Sequence, residues 1–307
     1  MDKKTLQIYL SEKYPDIFSD ADLQEIHESS NNEVFSYWDF ILKVSEDKDN
    51  LRKEFEFLKL LENRWKFPKA ISYDIENGRH ILVISKLDWV WLQHVWGKLG
   101  ENEKNIILKD IIFQLKIIHS TIGEGFIWSD FGKTNGSEKA FSKAILNPHI
   151  PKDEVEFARS EISRYEKTFD SSVFWLVHND LWYRNILVAD WKISWIIDFE
   201  LSFMWPIVSD YFKILHHRIS ALNYEDKTPI HYEELDFLDS LIDIIKSDYP
   251  KLVDQATAEK FYSYNLNAYL SKLSRFEEPW YDHAEVLSFK DSYCNLDKLF
   301  SELPWWN

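Results

Sequence analysis

The chain has 307 residues, long enough for one or two domains, and 45% of them are hydrophobic, enough for a sizeable core. No apolar stretch approaches the roughly eighteen residues of a membrane-spanning helix. The formal net charge of −16 argues against a nucleic-acid partner, because a phosphate backbone requires a basic surface, and it is compatible with a small cationic ligand.

Cysteine content and the first residues indicate the cellular compartment. Cys294 is the single cysteine, so the chain has no internal disulfide and no cysteine-based zinc cluster. Residues 1–10 lack the long apolar centre and small-residue cleavage site of a signal peptide. We therefore expect a cytoplasmic protein, and nothing in the sequence indicates an obligate protein partner.

The N-terminal part predicts strands and one helix. Phe40–Val44 and Ile81–Ile84 are short apolar runs typical of strands, and Lys43 lies inside the first of them. Between them, Leu51–Leu61 has the apolar spacing of an amphipathic helix.

The remainder of the chain predicts mainly helices. Asn105–His119 carries isoleucine and leucine at helical spacing, and residues 133–149 form a polar, irregular connection. Similar helical patterns occur at Glu154–Tyr165, Tyr211–Leu222, Leu235–Ile245 and Ala258–Leu273.

One motif in the middle of the chain indicates a reaction. Asn185 follows Asp180 by five positions, and Asp198 follows Asn185 by thirteen. The apolar runs 186–188 and 193–197 flank a short polar turn and predict a β-hairpin with Asn185 at one end and Asp198 at the other. This is how kinase-type phosphoryl transfer arranges its base and its two metal ligands.

The residue types suit that chemistry. A nucleoside triphosphate with Mg²⁺ requires hard oxygen ligands that leave coordination positions for phosphate and water. Asp198 supplies a carboxylate and Asn185 a neutral amide oxygen, which avoids excess negative charge beside the phosphates. Asp180 is then left to accept the proton of an attacking hydroxyl group.

The segment 173–215 resembles the aminoglycoside phosphotransferase and choline kinase family, the small-molecule branch of the protein-kinase-like fold. The family shows H-x-D-L-x-x-x-N-I-L-V, then I-D-F-E or I-D-W-E, then an Asp about a dozen residues later, here Asp210. The resemblance implies that Asp180 is the catalytic base, that Asn185 and Asp198 hold Mg²⁺, and that His178 and Asp210 support the catalytic loop.

The resemblance extends less sharply to the N-terminal part. It implies a phosphate-covering turn without glycine, a lysine that contacts the α- and β-phosphates of ATP or GTP, and a hinge that meets the base. Glu54 is the candidate that orients the lysine and Glu56 is the competing one, and because they lie two positions apart on the helix only one of them can face it. The residues implied for nucleotide binding are Ser29, Ser30, Asn31, Asn32, Lys43, Glu54, Ser85 and Leu87.

Acidic residues are the candidates for binding a cationic acceptor. One cluster lies in 224–243, and a second contains Glu277, Glu278, Trp280 and Asp282. Charged runs are more often solvated helix faces than binding sites. The second cluster, which includes an aromatic ring, is the better candidate for the acceptor site.

Tryptophan and glycine have unusual frequencies. The chain has 14 tryptophans and only 7 glycines, and several tryptophans stand where a turn favours glycine. We interpret some of them, at 38, 89, 191, 195 and 205, as UGA codons that the native host reads as glycine. A tryptophan-rich chain with genuine core aromatics is the alternative.

These observations together predict an α+β, protein-kinase-like bilobal fold. We expect an N-lobe at 1–87 with an antiparallel sheet and a helix, and a mostly helical C-lobe at 88–307 with the catalytic hairpin.

The predicted function is transfer of a γ-phosphate from ATP or GTP to a hydroxyl of a small, cationic molecule. A catalytically silent, pseudokinase-like nucleotide-binding module is the alternative. A protein kinase is disfavoured, because D-F-E replaces D-F-G and Asp210 follows closely.

Overall fold

A computed structural model shows the architecture. It describes residues 3–18, 23–26, 32–46, 48–62, 64, 67–87, 89–122, 142, 145, 146, 148, 153, 156, 157, 160, 175–189, 193–222, 229–254, 256, 260, 261 and 264. The chain divides into two compact units. Unit 1 comprises 1–121, 178–202 and 217–244, and unit 2 comprises 122–177, 203–216 and 245–307.

Unit 1 begins with two helices and a five-stranded antiparallel sheet of order β1-β2-β3-β5-β4. The helices are α1 (Lys3–Lys13) and α2 (Pro15–Phe18), and α3 (Lys48–Leu61) follows β3. The strands are β1 (Gln24–Ile26), β2 (Glu33–Tyr37), β3 (Phe40–Ser45), β4 (Ala70–Glu76) and β5 (Arg79–Ser85).

Apolar packing holds α1 and α2 against this sheet. Leu10, Leu23 and Leu42 are fully buried in a cluster that also includes Phe18 and Phe35. Burial of such side chains contributes about 1.5–3 kcal/mol each. The N-terminal helices are therefore part of the core of unit 1.

A second sheet of unit 1 carries the predicted catalytic hairpin. Its order is β6-β8-β9, with β6 at Val90–Trp91, β8 at Ile186–Ala189 and β9 at Ile193–Ile196. Strands β8 and β9 pair antiparallel with Ile186 opposite Ile196, so the predicted hairpin is confirmed. Helix α4 (Glu101–Ile118) covers the predicted helical segment at 105–119.

The remaining described elements are mainly helical. Unit 2 contains a two-stranded antiparallel sheet of β7 (Trp175–Val177) and β10 (Phe203–Trp205). Helices α5 (Val208–Leu222) and α6 (Pro229–Asp248) each begin in advance of the predicted segments, and α7 (Pro250–Asp254) follows. The predicted helices at 154–165 and 258–273 lie largely outside the described residues. No described helix is long and apolar enough to cross a bilayer.

Candidate active site

Lys43 and Glu54 form the centre of an ion-pair network. The Lys43 ammonium group donates to both oxygens of Glu54, at 2.9 and 2.8 Å, and to Asp198 Oδ1 at 2.8 Å. The regular pairing of β3 with β2 and β5 fixes the lysine, and α3 presents the glutamate. Of the two glutamates considered from the sequence, Glu54 is the one that contacts Lys43.

The electrostatics of this pair depend on burial. Burial on its own would lower the pKa of Lys43, but the carboxylates of Asp198 and Glu54 outweigh it and raise that pKa above its ordinary value. Burial raises the pKa of Glu54 to about 7, against the opposing effect of the Lys43 charge. The bidentate contact at 2.8–2.9 Å favours the ionised pair, because two of the three ammonium protons of Lys43 meet the two oxygens of Glu54.

The catalytic loop is built around a buried histidine. His178 is 0% exposed, and its Nε2 donates to the carbonyl oxygen of Ile197 at 2.8 Å. Its Nδ1 then accepts the backbone N–H of Asp180 at 3.2 Å, which requires the neutral Nε2-protonated ring. The histidine thereby ties the loop to the strand end that precedes Asp198.

Two residues of the predicted catalytic motif have left-handed backbone conformations. Asn179 has φ 59° and Asp198 has φ 68°. Asn and Asp tolerate this region better than other non-glycine residues, and such conformations concentrate at functional sites. They orient the side chains at each end of the catalytic motif.

Asn185 is held in one orientation by Asp180. Its Nδ2 donates to the carbonyl oxygen of Asp180 at 2.9 Å and to Asp180 Oδ2 at 2.8 Å. Because both contacts use the amide nitrogen, the amide oxygen of Asn185 remains for another ligand. Its backbone carbonyl accepts Ile197 N–H at 3.0 Å, which keeps the loop beside the Asp198 strand.

A cavity of about 660 Å³ brings most predicted site residues together. That volume lies in the range of small-molecule sites, about 300–1,000 Å³. The lining includes the described nucleotide candidates, the proposed base and both metal candidates: Asn32, Lys43, Glu54, Ser85, Leu87, Asp180, Asn185 and Asp198.

Other predicted site residues have different positions. Asp210 is fully buried in the first turn of α5, in unit 2. The turn residues Ser29, Ser30 and Asn31 lie outside the described residues, as do the acceptor candidates Glu277, Glu278, Trp280 and Asp282.

The first acidic cluster has structural contacts within unit 1. Asp236 accepts the Trp96 indole N–H at 2.8 Å and the Lys104 ammonium at 2.7 Å. Asp239 pairs with Arg218 at 2.5 Å. These carboxylates of α6 hold neighbouring elements together, and none of them lines the 660 Å³ cavity.

Sequence reasoning assigned no role to several other residues of the cavity. Glu200 is almost fully buried, and it accepts the Asn32 amide N–H at 2.8 Å. Arg184 lies 4.4 Å over the ring of Trp182. Trp91 also lines the cavity and makes an edge contact with Trp89 at 4.2 Å. Glu200 and Arg184 lie next to the motif in the sequence. That position is the feature from which a role in the site could have been predicted.

A family model described as "Phosphotransferase enzyme family" matches residues 22–233. The match spans the five-stranded sheet, the catalytic loop and the hairpin that carry the cavity-lining residues. The chain belongs to this phosphotransferase family, and it is a small-molecule kinase whose acceptor group is a hydroxyl. A search of curated protein sequences returned no match.

Solved structures show the same fold. The chain is similar to the aminoglycoside phosphotransferase APH(4)-Ia, with a TM-score of 0.67 and 15% identity over 95% of this chain and 98% of that one. It is similar to ADP-bound APH(2'')-Ib, with a TM-score of 0.65 and 15% identity over 95% and 97%. A gentamicin complex of APH(2'')-IIa matches with a TM-score of 0.62 and 15% identity over 96% of each chain. The predicted protein-kinase-like α+β fold is confirmed.

Proposed function

We propose that the chain transfers the γ-phosphoryl group of ATP or GTP to a hydroxyl of a small cationic molecule, either aminoglycoside-like or an amino alcohol or sugar. The observation that carries this proposal is the convergence of Lys43, Asp180, Asn185 and Asp198 on one cavity. A module that only bound nucleotide would have no use for a carboxylate at position 180.

The donor end of the cavity is assigned to Lys43 and the hinge residues Ser85 and Leu87, with Asn32 at the end of the phosphate-covering turn. Lys43 contacts Asp198 in this structure, and we propose that it turns to the α- and β-phosphates when nucleotide binds. Glu54 retains the lysine through its second contact. The similar structures include complexes with ADP and with AMP-PNP, which supports a nucleoside triphosphate as donor.

The residues present fit a magnesium site. Asn185 has an amide oxygen left by its contacts to Asp180, and the Asp198 carboxylate is 30% exposed. Two protein oxygens are few, but Mg²⁺ keeps waters and substrate phosphates as its other ligands. When bound, Mg²⁺ neutralises charge on the transferring phosphate. No cluster of three or more His, Cys, Asp or Glu occurs among the described residues as an alternative metal site.

Asp180 carries out the proton step. Its Oδ2 accepts the Asn185 amide N–H at 2.8 Å, which holds one oxygen of the carboxylate. The acceptor hydroxyl transfers its proton to Asp180 as the hydroxyl oxygen bonds to the γ-phosphorus. The bond from that phosphorus to the β-bridging oxygen breaks, and the nucleoside diphosphate leaves.

Charge supports a cationic acceptor. The cavity is lined by the carboxylates of Glu54, Asp180, Asp198 and Glu200, and the cations Lys43 and Arg184 neutralise only part of this charge. The similar structures include complexes with hygromycin B and with gentamicin. The net charge of −16 adds long-range attraction for cations.

The test is nucleotide turnover by purified protein with Mg²⁺ and a panel of aminoglycosides, choline and amino sugars. We expect a phosphorylated product from at least one acceptor and its loss in Asp180→Ala, with nucleotide affinity unchanged. Tight nucleotide binding without product from any acceptor would favour the binding module. Competition between ATP and GTP in the same assay identifies the donor.

A further inference from the structure

A histidine from helix α5 reaches the catalytic loop. His217 Nε2 lies 3.6 Å from Asp180 Oδ1, and the two side chains are 14% and 21% exposed. The contact uses the oxygen of Asp180 that does not receive the Asn185 amide. The two carboxylate oxygens therefore face different N–H groups, one on the loop itself and one on a helix.

An aromatic stack orients this histidine. The His217 ring lies nearly parallel to the Trp182 indole, with centroids 4.9 Å apart and planes 21° apart. The Arg184 guanidinium also lies over the indole, 4.4 Å from its centre. Ring contacts of this kind contribute about 0.5–1.5 kcal/mol and favour one orientation of the imidazole. Trp182 and Arg184 belong to the same loop as Asp180, so the stack joins the histidine to the loop.

We propose that His217 is a positioning residue that holds the second oxygen of Asp180 during phosphoryl transfer. This role rests on the proposed function, in which Asp180 is the base. A carboxylate held at one oxygen still pivots about that contact, and a donor at the other oxygen removes the rotation. Contacts of catalytic groups are often long without substrate and shorten in the reactive complex, so 3.6 Å suits a donor that closes on substrate binding.

The charged neighbours of His217 are compatible with this role. Asp180 faces the imidazole from the loop, and Arg184 lies over the Trp182 ring, 4.4 Å from its centre. The next residue of α5, Arg218, is paired with Asp239 of α6 at 2.5 Å. That ion pair anchors the helix segment from which His217 projects.

Two substitutions separate the N–H donor from the ring. His217→Phe keeps a ring to stack on Trp182 and removes the donor, whereas His217→Gln keeps an N–H at a similar reach and removes the ring. We expect His217→Phe to lower kcat about tenfold, with unchanged KM for nucleotide and unchanged melting temperature. His217→Gln should retain most of the wild-type kcat.

The split between kcat and KM, together with the recovery of kcat in His217→Gln, is a readout that a purely structural role would not move. A structural role would lower the melting temperature and would lower kcat equally in both variants. The matched control is His216→Phe, one position earlier on α5, which should keep the wild-type kcat.

Several results would overturn the assignment. Wild-type kcat in His217→Phe would do so, as would an equal loss in His217→Gln, or a similar loss in His216→Phe. If His217→Phe fails to fold, comparison of His217→Ala with His217→Gln decides, and equal kcat values in these two variants reject the role. Failure of the proposed function has a different signature, since the wild-type protein would then make no product.

Discussion

Trp38 occupies a backbone conformation that suits glycine. It has φ 46° in the two-residue turn between β2 and β3, and its side chain is 78% exposed. The neighbouring hairpin of β4 and β5 uses Asn77 and Gly78, with φ 51° and 76°, the residue pair that such turns favour. Position 38 is therefore where the glycine interpretation of the tryptophans has direct backbone support.

We predict that Trp38→Gly stabilises the protein. A non-glycine residue in the left-handed region lowers the stability of the fold by about 1–2 kcal/mol. Glycine in its place lowers it by about 0.5–1 kcal/mol, because glycine loses more conformational entropy on folding. The free energy of unfolding should therefore rise by about 0.5–1 kcal/mol in urea denaturation followed by far-ultraviolet circular dichroism.

Trp205→Gly is the contrasting variant. Trp205 is buried in β10, and its backbone is extended rather than left-handed. This change should lower the free energy of unfolding by about 3–5 kcal/mol. Stabilisation by both substitutions would extend the glycine interpretation to buried strands, and destabilisation by Trp38→Gly would remove its structural support. Codons at both positions are an independent check, since UGG there contradicts the idea.

Glu54 and Glu56 form a natural pair of test and control. Glu54 is 1% exposed and contacts Lys43, whereas Glu56 lies two positions further round α3. Glu54→Gln removes the charge that retains the lysine, so kcat/KM for nucleotide should fall about tenfold or more. Steady-state kinetics with Glu56→Gln should match the wild type. Equal losses in both variants would contradict the role given to Glu54.

Helix α6 shows why a charged segment is a poor predictor of a binding site. Its Asp236 satisfies the indole N–H of Trp96, whose side chain is fully buried. The same carboxylate binds Lys104, which lies over the Trp96 ring at 5.0 Å. The acidic run therefore serves packing between α6 and the segment around α4.

We predict a stability effect of Asp236→Ala without an effect on binding. The substitution leaves a buried indole N–H without its acceptor, which costs about 1–3 kcal/mol. The KM values for nucleotide and acceptor should be unchanged. Asp243→Ala, on the exposed side of the same helix, should alter the free energy of unfolding by less than about 0.5 kcal/mol. A raised acceptor KM in Asp236→Ala would return this face of α6 to the candidate binding sites.

At the scale of the whole molecule, titratable groups in both units make the stability of the protein depend on pH in the alkaline range. Burial raises the pKa of Tyr183 in unit 1 and of Tyr249 in unit 2 to about 12 each, helped by Glu234 and Asp210 respectively. The pKa of Lys43 is also raised. In the folded protein each of these groups keeps its proton at about pH 10 to 10.5. The same group in the unfolded chain loses its proton in that range.

The protein should therefore lose stability above about pH 10, because the unfolded state binds fewer protons there. Tyr249→Phe removes one contribution, so the slope of unfolding free energy against pH should become shallower by up to about 1.4 kcal/mol per pH unit. Urea denaturation between pH 9 and 11.5 measures this slope. An identical slope in wild type and Tyr249→Phe would show that Tyr249 titrates alike in both states.

The local arrangement of the catalytic-loop residues could be predicted from the sequence. Asp180, Asn185 and Asp198 lie within nineteen consecutive residues, and the hairpin of β8 and β9 fixes their relation through strand register. That only one of Glu54 and Glu56 faces Lys43 also followed from helical geometry, and the contact in the structure shows that it is Glu54. Such relations depend on short-range backbone geometry, which residue spacing records.

Other features depended on the tertiary structure alone. His217 meets Asp180 and Trp182 only because α5 packs beside the catalytic loop, and no local pattern distinguishes it from the adjacent His216. In the sequence, Asp236 belongs to an acidic run that is expected to be solvated. In the structure, α6 places it against Trp96. The sequence by itself determined the reaction chemistry and the fold class, because those reside in contiguous motifs. The tertiary structure decided which distant side chains share a contact, because that depends on how helices pack against the sheet.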